Sequence, residues 1–193
     1  VLGKGEGYVH RQVEGWSTRY RAARTPDVPD FEAVMAWLAE HEPADVGQVV
    51  IHNDFRLDNL VLSAHDPTKV IGVLDWEMAT IGDPLMDLGS ALAYWVQPDD
   101  DAIFVAQRRQ PTNAPGMWTR AQVVAHYTEA MGLAVTPGQW RFYEVFGLFR
   151  LAVIAQQIYY RFVAGQTTNP VFAAFGQIVA YLEERCARAL AAG

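Results

Sequence analysis

The feature that most constrains this chain is a run of polar residues between two apolar segments, in VVIHNDFRLDNLVL at residues 49–62. His52, Asp54, Arg56 and Asn59 all fall within eight residues of one another. Short apolar segments rich in β-branched residues are typical of buried strands, and QVVI at 48–51 and NLVLS at 59–63 fit that pattern. We therefore expect the polar residues in a loop that joins two strands.

A second acidic segment follows a third predicted strand, 70–75, in the sequence VIGVLDWE. It places Asp75 at the end of that strand and Glu77 two residues later. Lone carboxylates are usually solvated or cap helices, but Asp54 and Asp75 each lie at the mouth of an apolar strand. Carboxylates that converge there repel one another unless a cation lies between them, and Mg²⁺ takes oxygen ligands of this kind. The sequence therefore predicts a Mg²⁺ site, with Asn59 and Asp75 as ligands and Glu77 as a further candidate.

The spacing His52-x-Asp54-x(4)-Asn59, followed by Asp75, is the arrangement of a kinase catalytic loop and its metal-binding aspartate. Asp54 can accept the proton of an attacking hydroxyl group. Asn59 offers a neutral oxygen, and Asp75 an anionic one, to a metal that bridges nucleotide phosphates. His52 is expected to hold the loop by a hydrogen bond. Arg56 is a catalytic candidate that would contact the transferring phosphoryl group, and a salt bridge to Asp58 is an equal alternative.

Most of the remaining chain has helical periodicity. Asp83-Pro84, Thr119 and Thr136-Pro137 read as helix starts, because each supplies an N-cap side chain. Residues 97–118 hold three aspartates, three prolines and two adjacent arginines, which predicts a long loop. The predicted helices cover 5–24, 31–38, 84–96, a segment from 119, 137–165 and a segment from 169, where Cys186 lies on the apolar face.

One predicted helix carries polar residues on an otherwise apolar face. Arg150, Gln157 and Arg161 fall at i, i+7 and i+11 in the segment 137–165. Two arginines there could bind a substrate carboxylate or phosphate in bidentate fashion. Pairing with neighbouring carboxylates is the alternative, and the pattern slightly favours it.

Charge and cysteine content exclude some classes of protein. The net charge of −7 argues against a nucleic-acid or anionic-membrane partner, since both require a basic surface. The single cysteine cannot form an internal disulfide, which predicts a reducing compartment and a cytoplasmic location. The longest apolar helical stretch, 142–163, is interrupted by two arginines and two glutamines, so we expect no transmembrane helix and no signal peptide.

The segment HNDFRLDNLVL…VIGVLDWEMATIGDPLMDL resembles the aminoglycoside phosphotransferase (choline kinase-like) superfamily, which commonly has glycine at the position of Asn53. GYVHRQVEGWSTRYRAART and FRLAVIAQQIYYRFVAGQ resemble the phosphotransferase domains associated with acyl-CoA dehydrogenases. The resemblance implies a protein kinase-like α+β fold, mainly helical, with short strands around the catalytic loop. It implies ATP or GTP, Mg²⁺ and a small hydroxylated acceptor such as a hydroxyacyl-CoA, a hydroxy acid or an aminoglycoside-like alcohol. Association with an acyl-CoA dehydrogenase is a further expectation.

A complete kinase of this type also has an N-terminal lobe with a glycine-rich loop and a strand lysine. The glycines of LGKGEGYV do not match that loop, and the chain has only two lysines, Lys4 and Lys69. Residues 1–193 are therefore expected to form a C-terminal lobe whose nucleotide lobe is absent. A pseudokinase-like binding module that has lost turnover and a Mg²⁺-dependent hydrolase remain the alternatives to a kinase.

Overall fold

The computed structural model describes residues 3–192. Within that range the chain folds into helices α1–α7 and strands β1–β4. The helices are Tyr8–Ala23, Glu32–Glu40, Pro84–Leu92, Ala102–Ala106, Arg120–Met131, Pro137–Val163 and Phe175–Ala191. The strands are Val49–Ile51, Leu60–Leu62, Val70–Val73 and Thr80–Gly82. The mainly helical α+β architecture expected from the sequence is confirmed, and no helix of the described part is long and apolar enough to cross a bilayer.

The predicted helix caps are present. The Asp83 carboxylate accepts hydrogen bonds from two backbone N–H groups in the first turn of α3, and Pro84 is its first residue. Thr119 and Thr136 each form a capping box with the glutamine three residues later. Helix α1 begins at Tyr8 because the left-handed Gly7 ends the preceding turn and the Asp45 carboxylate accepts from the first N–H groups of the helix.

Three local predictions need correction. The helix expected over 84–96 ends at Leu92, where the chain turns. The expected loop 97–118 contains the short helix α4, because the Asp101 side chain caps it at the Phe104 N–H. Strand β4 was not predicted, since its three residues are too few to show the alternation of apolar and polar residues that marks a strand. It forms only because β1 lies alongside it.

The four strands form two antiparallel pairs rather than one sheet. Strand β1 pairs with β4, and Val50 lies opposite Ile81. Strand β2 pairs with β3, and Leu60 lies opposite Val73. The predicted polar loop, 52–59, connects one pair to the other, so its ends are anchored by two different ladders.

Helix α6 lies at the centre of the helical layer and packs against α1, α2, α3 and α7. Its buried side chains are mainly aromatic and aliphatic, and they join those of the neighbouring helices in one core. Cys186 of α7 is fully buried, as predicted, and burial raises the pKa of its thiol. The buried core residues of α6 are Phe142, Tyr143, Val145, Phe146, Leu148, Phe149, Ala152, Val153 and Ala155.

Helices α3 and α6 touch through their backbones at a pair of glycines. A Cβ atom added at Gly147 would lie 2.2 Å from the carbonyl oxygen of Gly89. A Cβ atom added at Gly89 would lie 2.4 Å from the carbonyl oxygen of Tyr143. Both distances are far below van der Waals contact, and backbone atoms cannot move aside as a flexible side chain can. Any larger residue at either position must therefore separate the helices.

We predict that Gly147→Ala destabilises the protein by about 1–3 kcal/mol, the usual cost of overpacking a well-packed interior. Gly138→Ala in the same helix is the matched control, because nothing lies within 4 Å of its added Cβ. That control should be neutral or gain up to roughly 1 kcal/mol from the better helix propensity of alanine. Urea denaturation measures both free energies of unfolding. Equal stability of the two variants would contradict a backbone contact at this crossing.

Candidate active site

A half-buried carboxylate of α3, that of Asp87, holds the backbone of the polar loop. The Asp87 oxygens accept hydrogen bonds from the N–H groups of His52 and Asn53, each at 2.8 Å. Burial raises the pKa of Asp87, whereas the two backbone donors and the nearby Arg150 guanidinium act in the opposite direction. Consecutive N–H groups that bind one rigid carboxylate fix the direction in which the chain leaves β1.

His52 joins the polar loop to the strand that precedes Asp75. Its Nε2 lies 2.8 Å from the carbonyl oxygen of Leu74, and its Nδ1 accepts from the N–H of Asp54 at 3.3 Å. A neutral ring with the proton on Nε2 satisfies both contacts. His52 is buried, and it holds the loop by hydrogen bonds as the sequence predicted.

Asn53 stands where the resembling superfamily commonly has glycine, and its backbone is left-handed with φ of 64°. Asparagine tolerates this region better than most residues. Its side-chain oxygen accepts from the Tyr8 hydroxyl at 3.0 Å, and its amide donates to the Met78 carbonyl at 3.1 Å. Arg150 Nη2 donates to the Asn53 carbonyl oxygen at 2.7 Å. The asparagine therefore adds two side-chain hydrogen bonds that a glycine could not make.

The Asp54 side chain is partly accessible, with 28% of its surface exposed. Arg56 Nη2 lies 3.4 Å from one of its oxygens, and Arg56 Nε lies 3.6 Å from an oxygen of Asp58. The salt bridge anticipated as an alternative for Arg56 is thus present. It does not exclude contact with an incoming phosphate, because the guanidinium also lines an adjoining cavity.

The two predicted metal ligands lie on neighbouring strand ends. Asn59 donates from Nδ2 to the Asp54 carbonyl at 2.8 Å, which leaves its side-chain oxygen for another partner. The carbonyl oxygen of Asn59 accepts a hydrogen bond from the N–H of Leu74 at 2.8 Å. Asp75 is the next residue after Leu74, so it lies beside Asn59. Asp75 is exposed and left-handed, with φ of 65°. Glu77 is also exposed, in the short 3₁₀ turn after Asp75.

These donors fit Mg²⁺ better than a transition metal. Within residues 3–192 no three His, Cys, Asp or Glu side chains come together as a closed metal cluster. Mg²⁺ in nucleotide sites needs only one or two protein oxygens, since phosphates and water complete its shell. Asn59 and Asp75 could supply those oxygens, and exposed Glu77 remains a further candidate.

The structure does not bring the three polar residues of α6, Arg150, Gln157 and Arg161, into one site. Only Arg150 reaches the polar loop, where it is buried against Asn53. Gln157 is half-buried, and Arg161 is exposed about 16 Å further along the helix axis. Neither residue lines the cavity beside Arg56. Their role in binding a substrate stays a prediction.

A mainly apolar cavity of about 340 Å³ adjoins the polar loop at Arg56. It lies among α4, α6, α7 and the segment that follows α3, and no carboxylate lines it. The polar residues that line it are Arg56, Tyr94, Gln107, Arg109 and Tyr181, and burial raises the pKa of the Tyr94 hydroxyl. The apolar lining comprises Ala93, Val96, Phe104, Leu151, Ile154, Ala155, Ile158, Phe175, Ile178 and Leu182.

Sequence reasoning assigned no role to three residues that shape the site. The sequence places Asp87 among the apolar residues of α3. A carboxylate in such surroundings indicates that it has a specific hydrogen-bond partner. Gln110 accepts a 2.7 Å hydrogen bond from the N–H of Leu57, and nothing local in its loop marks it. Tyr94 lies beyond the end of α3, in a segment that was predicted as regular helix.

Comparisons with known proteins agree on one family. Residues 2–123 match the model of the phosphotransferase enzyme family. Mouse acyl-CoA dehydrogenase family member 10 is 36% identical over 95% of the chain, and human acyl-CoA dehydrogenase family member 11 is 32% identical over 94%. The chain spans only 17% and 23% of the length of these two relatives.

A solved structure also matches nearly the whole chain. It is that of a protein of Ralstonia eutropha JMP134 named a "putative aminoglycoside phosphotransferase", with a TM-score of 0.81 and 31% sequence identity. The match covers 97% of this chain and 56% of the solved one. The kinase-like fold expected from the sequence is therefore confirmed.

We predict that Asp87→Asn loosens the polar loop. An asparagine presents only one acceptor, so one buried N–H of the loop loses its partner, at a cost of about 1–3 kcal/mol. Hydrogen exchange should become faster at His52 and Asn53. Asp58→Asn is the matched control, because Asp58 is half-exposed and only approaches Arg56 at 3.6 Å. Unchanged exchange in Asp87→Asn would show that the loop does not depend on this carboxylate.

Proposed function

The chain belongs to the phosphotransferase enzyme family, and we propose that it transfers the γ-phosphoryl group of ATP or GTP to a hydroxyl group of a small molecule. The observation that carries this proposal is the joint fixation of His52, Asp54, Asn59 and Leu74 by hydrogen bonds, with Asp75 next along the chain. Phosphoryl transfer depends mainly on positioning and charge stabilisation, and a rigid loop serves both.

In this proposal Asp54 accepts the proton of the acceptor hydroxyl as the oxygen attacks. Its partial exposure, its contact with Arg56 and the hydrogen bond from Asn59 to its backbone carbonyl suit that role. Arg56 neutralises charge on the transferring group from the cavity side. When bound, Mg²⁺ would offset the negative charge of the nucleotide phosphates, with Asn59 and Asp75 as its protein ligands.

The apolar cavity favours some acceptors over others. An aminoglycoside carries several positive charges and would need carboxylates, whereas this cavity is lined by Arg56 and Arg109 and by no acidic residue. An acceptor with an apolar chain and an anionic group fits the lining better. Among the acceptors considered from the sequence, a hydroxyacyl-CoA or a hydroxy acid is therefore preferred to an aminoglycoside-like alcohol.

We also propose that a separate N-terminal lobe supplies the glycine-rich loop and the lysine. Support comes from the solved relative, of which this chain covers 56%, and from apolar side chains exposed on the strand side of the site. Such a lobe would cover these side chains together with the nucleotide. They are Val50, Leu62, Val70, Ile71, Leu74, Trp76 and Met78.

An acyl-CoA dehydrogenase is the proposed partner, either in the same chain or in a complex. The support is the names of the relatives, in which the matching segment is about a fifth of the protein.

Two alternative functions predict different results in an activity assay. A pseudokinase-like module would bind without turnover, and a Mg²⁺-dependent hydrolase would release phosphate from esters in the absence of nucleotide.

We predict that Asp54→Asn in the full-length protein lowers kcat by ~10²–10⁴-fold, the usual contribution of a general base. Nucleotide affinity should change little, because Asp54 is not a proposed metal ligand. Transfer of labelled γ-phosphate to hydroxyacyl-CoA acceptors measures kcat, and calorimetry measures ATP affinity. Asp58→Asn is the control on the same loop. Near-normal turnover by Asp54→Asn would remove the residue from the mechanism.

We predict that residues 1–193 alone fold but transfer no measurable phosphate. The core around α6 is large enough for cooperative folding, whereas nothing in the described part covers the nucleotide from the strand side. Thermal unfolding should show one transition, and a product assay should stay at background until the N-terminal lobe is restored. Steady turnover by the isolated chain would show that the nucleotide site is complete without that lobe.

A further inference from the structure

Residues 97–118, which we call the strap, form one wall of the apolar cavity. The strap contains α4 and supplies Phe104, Gln107 and Arg109 to the lining. Arg56 of the polar loop lines the same cavity. The strap and the polar loop therefore border one space that a small ligand could fill, although they lie far apart in the sequence.

The strap is attached to the rest of the fold on both sides of its cavity-lining residues. Before them, the Asp100 carboxylate contacts Arg120 at 2.7 Å and Arg185 at 3.2 Å. After them, the Thr112 hydroxyl accepts from the N–H of Val96 at 3.0 Å and donates to the Val96 carbonyl at 2.9 Å. Between these two attachments the strap spans the cavity.

A third attachment joins the strap to the polar loop. Gln110 is buried, with 4% of its surface exposed, and its Oε1 accepts from the N–H of Leu57 at 2.7 Å. That N–H opens the 3₁₀ turn Leu57–Asn59, so no carbonyl group of the turn can accept it. The turn begins directly after Arg56 and ends at Asn59, a proposed metal ligand. Gln110 therefore caps the part of the loop that positions both residues.

The short segment from Gln107 to Gln110 makes contacts in two directions. Gln107 and Arg109 line the cavity, whereas the next side chain, Gln110, binds the loop. A ligand that fills the cavity limits the movement of Gln107 and Arg109, and the adjoining backbone passes that limit to Gln110. A 2.7 Å hydrogen bond leaves little freedom between Gln110 and Leu57. Filling of the cavity should therefore restrict the polar loop as well.

We propose that Gln110 is a positioning residue that couples occupation of the apolar cavity to the placement of Arg56 and Asn59. The inference rests on the proposed function and deepens it, because it states how a bound acceptor fixes the loop that carries Asp54. The ligand expected to act in this way has an apolar chain and an anionic group, since Arg56 and Arg109 are the charged residues of an otherwise mainly apolar lining.

The test measures amide hydrogen exchange in the full-length protein with and without octanoate. Octanoate has an apolar chain and a carboxylate but no hydroxyl group, so its binding is observed without turnover. At a concentration of about ten times its Kd, octanoate should slow exchange at Leu57 of the wild type by about tenfold, because opening of the loop then requires loss of the ligand.

Gln110→Met keeps the length of the side chain and removes the acceptor oxygen. Exchange at Leu57 should then be about tenfold faster, the effect of one net hydrogen bond on an opening equilibrium. Octanoate should no longer slow it, although calorimetry should still detect octanoate binding. Gln110→Glu keeps an acceptor oxygen at the same position and should respond to octanoate as the wild type does, which assigns the effect to that oxygen.

Arg108→Met is the matched control, because it places the same new side chain on the strap at an exposed position that does not line the apolar cavity. It should exchange at Leu57, and respond to octanoate, as the wild type does.

Octanoate that binds the wild type without slowing exchange at Leu57 would overturn the proposal, and so would an undiminished response in Gln110→Met. Absence of octanoate binding would overturn it as well, because the cavity would not take the ligand on which the coupling depends. The measurements on the wild type stand even if a variant fails to fold. Failure of the wild type to transfer phosphate would refute the proposed function separately, since hydrogen exchange does not depend on turnover.

Discussion

The backbone contact between Gly89 and Gly147 sets the geometry on which the site depends. Because neither residue has a side chain, α3 and α6 approach closely enough for each to reach the same loop. Asp87 lies two residues before Gly89, and Arg150 lies three residues after Gly147. Both charged groups are therefore within one helical turn of the crossing. A wider crossing would move the carboxylate away from the N–H groups of the loop, or the guanidinium away from its carbonyl oxygen.

The polar loop has little sheet around it, so side chains fix its shape. Two short antiparallel ladders hold only its ends. Between them, Asp87 binds two N–H groups, Arg150 binds the Asn53 carbonyl and His52 binds the Leu74 carbonyl. Each of these partners is buried or lies on a helix of the core. A loop held in this way keeps Asp54 in a fixed position, which is what the proposed phosphoryl transfer would require.

The sequence predicted those features of the structure that depend on residues close together in the chain. The caps at Asp83, Thr119 and Thr136 were readable because a capping side chain lies next to the helix it starts. The spacing of Asp54, Asn59 and Asp75 identified the loop and its strands. Strand β4 could not be predicted, because its pairing with β1 joins segments about thirty residues apart. The hydrogen bond from Leu57 to Gln110 and the grouping of Lys4 with Arg150 along one cavity likewise depend on the tertiary fold, and sequence spacing does not report such contacts.

The distribution of charge is compatible with the proposed binding of phosphorylated molecules by an acidic protein. The net charge of −7 repels anions at long range, but salt screens charges beyond roughly 8 Å at physiological ionic strength. At closer range, Lys4, Arg11, Arg19 and Arg150 line a second cavity, at Asn53, and Arg56 and Arg109 line the apolar cavity. Asp54 lies between Asn53 and Arg56 along the chain, and its carboxylate contacts the Arg56 guanidinium. The local field rather than the net charge then governs which ligand is bound, so pI alone is a poor guide to the substrates of this chain.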